Sequence, residues 1–261
     1  MTEVPPRVLT GEQCSFYREH GWLLVERLIP DAWLERLRDA VDSIVEDSRS
    51  MSESSPAVEL WRDHSRQRPS LYHVDSPDDM QPAIWEFAST SSLVDAACDL
   101  LGSRVRYRYG ALRFRKLGPT DLWHQDMPFD ALEGRAVLAG VHLHDTGPRH
   151  PRLQVISGSH RGETFSHLDP AGSFIGELNA DEMRRVDAGR AVDLTAPAGS
   201  VEFLDYRTLH QDMYGGESEG GALLYAAYAA ADAVPIGEAR YPAVPSSGKG
   251  RLLGAQVGGP L

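Results

Sequence analysis

The sequence predicts an α+β protein that is mainly β, with a helical first part followed by a run of short strands. Up to Gly102, apolar residues recur at the three- and four-residue spacing of amphipathic helices. After Gly102, short segments alternate between apolar and polar residues and are separated by Gly, Pro and Asp. Helices followed by strands are typical of an α+β chain whose second part is a β-sandwich or a small barrel.

The mainly helical part is expected over residues 1–102. Thr10 and Gln13 have the spacing of a capping box, so a first helix should begin there and end at Gly21. A short strand is predicted at 22–25, and further helical segments at 31–48, 84–87 and 93–101. Residues 50–82 are rich in Ser, Pro and polar residues, and most of this stretch is predicted to be a surface loop that serves as a candidate lid.

The β core is expected over residues 103–232. Its strands are predicted at 105–117, 135–143, 152–156, 191–194, 200–204 and 223–229. Residues 233–261 are rich in Pro, Gly and Ser and are predicted to form an irregular tail. We expect all 261 residues to form a single domain, since a chain of this length buries one large core with ease.

The composition narrows the classes of function. The net charge is −12, which argues against binding to nucleic acid or to an anionic membrane, because both need a basic face. No stretch approaches the ~20 apolar residues of a membrane helix, and the first ten residues lack the apolar run of a signal peptide. Cys14 and Cys98 are expected to be free thiols in a reducing compartment, so the predicted location is the cytoplasm.

The segment His124-Gln125-Asp126 is the first candidate for chemistry. On a strand or strand end, residues two apart point to the same side, so both outer side chains can reach one metal ion. His210 follows an apolar strand and supplies a candidate third ligand. Two histidines and one carboxylate form the facial triad of non-haem Fe(II) oxygenases, which leaves positions open for a cosubstrate and O₂. A His-X-Asp triplet by itself also arises by chance, and its histidine is then an ordinary strand-end residue.

Three segments in order carry a resemblance to a known family. They are Trp123-His124-Gln125-Asp126, the segment 153–160 that ends in Ser-Gly-Ser-His, and the segment from Pro197-Ala198-Gly199 to His210. Together they resemble the phytanoyl-CoA dioxygenase (PhyH) family of Fe(II)/2-oxoglutarate-dependent oxygenases. The resemblance implies a double-stranded β-helix (jelly-roll or cupin-like) core with N-terminal helices packed on it. It also implies that His124, Asp126 and His210 bind Fe(II).

The sequence departs from the family pattern at the cosubstrate. The family places an arginine about eleven residues after the distal histidine, where it grips the far carboxylate of 2-oxoglutarate. In this chain that position is Gly221, and no Arg or Lys occurs between His210 and Arg240. Either another cation holds the carboxylate, or 2-oxoglutarate is not the cosubstrate.

Candidate replacements lie on the predicted strands. Lys116 matches a lysine that the family often has before its His-X-Asp motif, and it is our preferred cation, with Tyr225 and Tyr228 as hydroxyl donors. Arg113 and Arg115 share the opposite face of a regular strand and are the alternative cations. They are equally consistent with a solvated strand face.

The substrate pocket has three candidate residues. Trp123 and Phe129 flank the ligand strand and are predicted to line the pocket, with plain core packing as the alternative. His142 is predicted to face the pocket, with a core or interface histidine as the alternative. No catalytic residue is predicted beyond the metal ligands, and three acidic residues are read as turn or surface carboxylates: Asp130, Asp205 and Asp212.

The predicted function is an Fe(II)/2-oxoglutarate-dependent dioxygenase that uses O₂ to oxidise a C–H bond of a small molecule. Hydroxylation is the expected outcome, and a natural-product intermediate is the expected kind of substrate. Two rivals remain open: a metal enzyme of the same fold that does not use 2-oxoglutarate, and a non-catalytic protein that binds small molecules. The sequence does not indicate the identity of the substrate or the oligomeric state.

Overall fold

The fold was analysed in a computed structural model, which describes residues 8–61, 69–114, 122–147, 152–213, 222–236 and 248–254. Its helices are α1 Gly11–His20, α2 Asp31–Ser48, α3 Pro77–Met80, α4 Pro82–Thr90, α5 Ser92–Leu101, α6 Met127–Asp130 and α7 Ala180–Met183. Its strands are β1 Trp22–Val25, β2 Val58–Trp61, β3 Ser70–Asp75, β4 Val105–Phe114, β5 Leu132–Glu133, β6 Ala136–His142, β7 Arg152–Ile156, β8 Ala191–Leu194, β9 Val201–Asp205, β10 His210–Met213, β11 Ala222–Ala230, β12 Val234–Pro235 and β13 Leu252–Leu253.

Two antiparallel sheets face each other. The large sheet has the order β1-β9-β6-β11-β4-β3-β2, and β13 adds to it by pairing with β4. The small sheet has the order β10-β7-β8. A short pair, β12 with β5, lies outside both. Each sheet also pairs strands that are distant in sequence, such as β1 with β9 and β7 with β10, as in a jelly roll.

The large sheet is covered on both faces, and the period of two along its strands sorts the side chains. In β6, Val137, Ala139 and Val141 join a core that includes residues of α2, α4 and α5. Ala136 and Leu138 face the other way and pack with residues of the small sheet. Every residue of β6 is therefore buried, as expected for a strand at the centre of a layered fold.

The N-terminal helices form the layer on the outer face of the large sheet. Helix α1 begins at Thr10, whose side chain accepts from the backbone N–H of Gln13 in a complete capping box, and Gly21 ends it in the left-handed region. Helix α2 turns one apolar stripe toward the sheet; its buried residues include Leu34, Leu37, Val41 and Ile44. No described helix is long and apolar enough to cross a membrane.

The long loop predicted before residue 82 is wrong in three places: residues 77–80 form α3, and two further segments form strands. Residues 58–61 and 70–75 form β2 and β3, which extend the large sheet beyond β4. Leu71 and Val74 both pack in the helix-side core, because a register irregularity against β2 breaks simple alternation between them. The prediction of a lid loop is therefore wrong for residues 58–61 and 70–75, which belong to the sheet. Residues 62–68 lie outside the described part of the chain.

Candidate metal centre

His124, Asp126 and His210 come together at one end of the small sheet. His210 is the first residue of β10, and His124 lies in the segment that leads into α6. The two histidines exchange both backbone hydrogen bonds, each at 3.0 Å, as an isolated antiparallel bridge. Each of the three side chains offers one ligand atom, and these atoms lie within 4.8 Å of one another. This is the spacing that one metal ion requires.

Both imidazoles are oriented by a backbone carbonyl. Nδ1 of His124 lies 2.7 Å from the carbonyl oxygen of Leu122, and Nδ1 of His210 lies 2.9 Å from that of Thr208. Because a carbonyl oxygen only accepts, each Nδ1 carries a proton, and in a neutral imidazole Nε2 is then the nitrogen that can bind a metal. His210 Nε2 lies 3.9 Å from Asp126 Oδ1. This pattern of Nδ1–H to carbonyl and Nε2 to metal is common in metal sites.

The carboxylate of Asp126 fits a bound cation. Asp126 is 2% exposed, and its Oδ2 makes no hydrogen bond to any residue that the structure describes. A buried, unpaired carboxylate oxygen is costly unless a ligand satisfies it. Burial raises the pKa of Asp126 to about 6. Burial, and then the nearby His210, lowers the pKa of His124 to about 3, so that imidazole is neutral at pH 7. The donor set of two imidazoles and one carboxylate suits Fe(II).

Gln125, between the two ligands, anchors the turn to the segment that follows β7. Its side-chain NH₂ donates to the carbonyl of Arg207 at 2.6 Å, and its side-chain oxygen accepts from the N–H of Phe165 at 2.8 Å. Its backbone N–H donates to Nε2 of His167 at 3.0 Å. His167 in turn donates from Nδ1 to the carbonyl of Phe165, and burial lowers the pKa of His167. No sequence motif points to His167, which lies far from His124-Gln125-Asp126 along the chain.

Arg113 lies on the inner face of the large sheet. Its neighbours Leu112 and Phe114 belong to the helix-side core, so the side chain of Arg113 points toward the small sheet. Its Nη1 lies 3.7 Å from Oδ2 of Asp212, which is two residues after His210 on β10. The charge of Arg113 also lowers the pKa of Asp126, against the larger effect of burial. The guanidinium is therefore close to the metal ligands.

The two tyrosines of β11 lie on opposite faces. Tyr228 packs in the helix-side core, and its hydroxyl donates to the carbonyl of Ala88 at 2.7 Å. The expectation that Tyr228 holds the cosubstrate is therefore wrong, because its hydroxyl is committed on the far side of the sheet. Tyr225 faces the small sheet and packs against the core between the two sheets. Lys116 and Gly221 lie outside the described residues.

The three predicted pocket residues have different surroundings. Trp123 is 4% exposed and packs with Ile156, Leu178 and Leu209, so the structure favours the core-packing alternative. Phe129 stands edge-on to His124, with 5.9 Å between ring centroids, beside the metal ligands as predicted. His142 is fully buried, with Nε2 3.1 Å from Glu202 and Nδ1 3.2 Å from Thr146, on the inner face of β6.

Two of the acidic residues read as turn or surface carboxylates have other surroundings: Asp130 is buried and Asp212 is partly buried. Asp130 forms a buried ion pair with Arg108, and Asp212 pairs with Arg113 between the sheets. Both expectations are wrong, because the sequence alone does not show that a basic residue on β4 reaches each carboxylate. Asp205 accepts from the backbone N–H of Arg207 at 2.9 Å, which is the turn role that was predicted.

Comparison with known families shows which protein family this chain belongs to. The family model of phytanoyl-CoA dioxygenase (PhyH) matches residues 17–211. The chain belongs to this family. Its resemblance to the family, inferred from the three motifs, is thereby confirmed, as are its class as an Fe(II)- and 2-oxoglutarate-dependent dioxygenase and the cofactors of that class.

Individual relatives of this PhyH-family chain differ in what they are named for. A probable alpha-ketoglutarate-dependent hypophosphite dioxygenase of Stutzerimonas stutzeri is 25% identical over 232 residues, which cover 87% of this chain and 80% of the relative. The crystal structure of EctD from S. alaskensis with 2-oxoglutarate and 5-hydroxyectoine has a TM-score of 0.70 at 19% identity. The match covers 88% of this chain and 79% of the EctD chain. The carbocyclase SnoK from nogalamycin biosynthesis has a TM-score of 0.70 at 18% identity and covers 98% of both chains. These likenesses confirm the double-stranded β-helix.

Proposed function

We propose that this PhyH-family protein holds Fe(II) with His124, Asp126 and His210 and oxidises a C–H bond of a small molecule, with hydroxylation as the outcome. The observation that carries this proposal is the buried cluster of three ligand atoms, in which a backbone carbonyl orients each imidazole through Nδ1. Fe(II), 2-oxoglutarate and O₂ supply the oxidation itself: the cosubstrate is decarboxylated to succinate and CO₂, and one oxygen atom goes to the substrate. The protein fixes the ligands, orients the cosubstrate and excludes water.

For the far carboxylate of 2-oxoglutarate, the proposed anchor is Arg113. Arg113 on β4 is directly opposite Leu223 on β11. Leu223 is two residues beyond Gly221, where the family places its arginine. A side chain on the neighbouring strand thus reaches the same end of the same sheet. Its guanidinium offers the bidentate geometry that carboxylates prefer.

Tyr225 is the proposed hydroxyl donor beside Arg113. Its partner on β4 is Ala111, and directly paired residues share a face, so Tyr225 and Arg113 both face the small sheet. Lys116, preferred from the sequence, stays an alternative because it lies outside the described residues. Asp212 is the counter-ion of Arg113, and the cosubstrate carboxylate would share or displace it.

The substrate is proposed to be a small organic molecule, with a natural-product intermediate as the favoured kind. Phe129, edge-on to His124, offers an aromatic wall next to the metal ligands. The names of the relatives mention hypophosphite, 5-hydroxyectoine and nogalamycin biosynthesis, and this diversity means that the family alone does not fix the substrate. A cytoplasmic location and a single domain over residues 1–261 stay predictions.

The test of the proposed function is a balance of products. Protein loaded with Fe(II) under anaerobic conditions receives 2-oxoglutarate and O₂, and succinate is measured with and without candidate substrates. We expect slow formation of succinate alone and faster formation with a substrate, coupled one to one to oxidised product. Substrate oxidation without succinate would favour the rival enzyme that does not use 2-oxoglutarate. Absence of both reactions, together with tight binding of a small molecule, would favour the non-catalytic rival.

A further inference from the structure

The carboxylate ligand Asp126 is the residue that directly precedes the short helix α6. Its backbone carbonyl accepts from the N–H of Phe129 at 3.0 Å and from the N–H of Asp130 at 3.4 Å. Asp126 and Asp130 are therefore the two ends of one hydrogen-bonded turn. Any force that fixes Asp130 also fixes the direction in which the chain presents Asp126.

Asp130 is held by a buried ion pair. Arg108 Nε donates to Asp130 Oδ2 at 2.8 Å, and Arg108 Nη2 donates to Oδ1 at 2.5 Å. Arg108 is 9% exposed and Asp130 is 3% exposed. This is the fork-to-fork arrangement of guanidinium and carboxylate, which fixes orientation as well as distance. The bond to Asp130 also raises the pKa of Arg108, so the guanidinium stays charged.

Tyr206 holds both ends of the same turn. Its backbone carbonyl accepts from the N–H of Met127 at 3.0 Å, and its hydroxyl donates to Asp130 Oδ2 at 3.4 Å. Tyr206 is fully buried. The helix that begins after the ligand is thus fastened at its start by a main-chain bond and at its end by a charged pair plus a hydroxyl.

A β-bulge directs Arg108 to this place. In the pairing of β11 with β4, Ala227 is opposite Tyr109 and Tyr228 is opposite Tyr107, so Arg108 is an extra residue in β4. Tyr107 packs in the helix-side core, whereas Tyr109 packs on the inner face. A bulge of this type re-aims a side chain that regular alternation would place differently. Here it brings a guanidinium inward, under the ligand turn.

We propose that Arg108 and Asp130 are positioning residues that aim the carboxylate of Asp126 at the metal. A buried ion pair adds little to stability, since desolvation of two charges offsets most of their attraction. It does fix geometry, and a metal site needs its donor atoms within about 0.5 Å of the productive arrangement. Neither residue touches the metal ligands' side chains by any described hydrogen bond, so both act through the backbone of α6. This inference rests on the proposed metal site.

The experiment separates positioning from stability with two variants. Asp130→Asn removes the charge, and the double variant Arg108→Met/Asp130→Leu replaces the pair with apolar side chains of similar volume, which often restores stability. Metal affinity is measured by titration with Fe(II) without O₂ and with Co(II), whose visible spectrum reports coordination geometry. Unfolding is followed on the same samples without metal. Asp193→Asn is the control, because Asp193 lies on β8 of the small sheet and forms an ion pair with a different arginine, Arg152, at 2.6 Å.

We expect both test variants to bind metal about 10- to 100-fold more weakly than the wild type, which is the usual cost of losing a group that orients a ligand. The double variant should do so with near wild-type stability and with an altered Co(II) spectrum. The control should bind within about twofold of the wild type. If the double variant binds metal as tightly as the wild type, the positioning role is refuted while the metal site stands. The same holds if each variant loses metal affinity only in proportion to its loss of folding stability. Wild-type protein that binds neither metal would overturn the metal site, and this proposal with it.

Discussion

The proposed metal half of the site consists of His124, Asp126 and His210, and the proposed cosubstrate half consists of Arg113 and Tyr225. The two halves differ in how the chain positions their side chains. The metal ligands stand at segment ends, and a reciprocal backbone pair fixes His124 beside His210. Arg113 and Tyr225 stand within two long central strands of the large sheet. A metal demands three donor atoms in one arrangement, so the motif spacing is strict. A carboxylate demands only a guanidinium in reach, and a neighbouring strand can supply it.

The largest effect is expected from the metal half. Asp126→Ala or His210→Ala removes one of three ligands, so iron content should fall to background and turnover by at least about a thousandfold. Iron per protein is measured after anaerobic loading and desalting. His144→Ala is the control, since His144 is an exposed histidine outside the cluster, and it should keep full iron content. Iron retained by both ligand variants would refute this site.

The next effect breaks the cosubstrate half and spares the metal half. Arg113→Gln should raise the KM for 2-oxoglutarate roughly 10- to 100-fold, because a charge-assisted hydrogen bond contributes about 1.5–3 kcal/mol. Arg113→Lys should recover part of this loss, since it keeps the charge without the fork. Iron content should stay unchanged in both. An unchanged KM in Arg113→Gln would move the anchor to another cation, with Lys116 as the first to test.

Two variants that each remove one tyrosine hydroxyl test whether the two faces of β11 have different roles. Tyr225→Phe should raise the KM for 2-oxoglutarate several-fold, because it removes a neutral hydrogen-bond donor of about 1 kcal/mol. Tyr228→Phe should leave this KM unchanged and lower the free energy of unfolding by about 1 kcal/mol, since its hydroxyl bonds to Ala88. Equal effects on KM would show that the faces are assigned wrongly. Initial rates and denaturant unfolding provide the two measurements.

The smallest expected effect is on the pH dependence of stability and comes from His167, which accepts a hydrogen bond from the backbone N–H of Gln125. Burial lowers its pKa in the folded protein, while the unfolded chain keeps the ordinary value of about 6.5. Below that value the unfolded chain takes up the proton first, so His167 costs stability as the pH falls from about 6.5 toward its folded pKa. The variant His167→Gln lacks this contribution. The stability difference between wild type and variant should therefore shrink on acidification, and a constant difference would contradict the assignment.

Much of the fold was predictable because its signals are local. The capping box at Thr10, the apolar stripe of α2 and six strands of the two sheets follow from spacing within one segment, whereas β10 was not predicted. Strands β2 and β3 were missed because their apolar residues do not alternate regularly around the irregular pairing. Their place in the sheet depends on β4, which lies much later in the chain.

In the candidate site, too, the residues of local motifs were predictable, and those that depend on distant pairing were not. His124, Asp126 and His210 were named from motif spacing, and the structure brings all three together. Tyr228 was misassigned although it is three residues from Tyr225, a spacing that places them on opposite faces of a regular strand. The Arg108–Asp130 pair was out of reach, since it depends on a bulge that only the pairing of β4 with β11 creates.

The backbone pair between His124 and His210 has a consequence for folding. It joins two segments that are far apart in sequence, so the ligand set exists only after a long loop of chain has closed, at an entropic cost. An ion bound there acts as a removable cross-link across that loop. By mass action, each tenfold excess of free metal over its Kd adds about 1.4 kcal/mol to the stability of the folded state. Removal of the metal by a chelator should therefore lower the free energy of unfolding and weaken the pairing of these two segments.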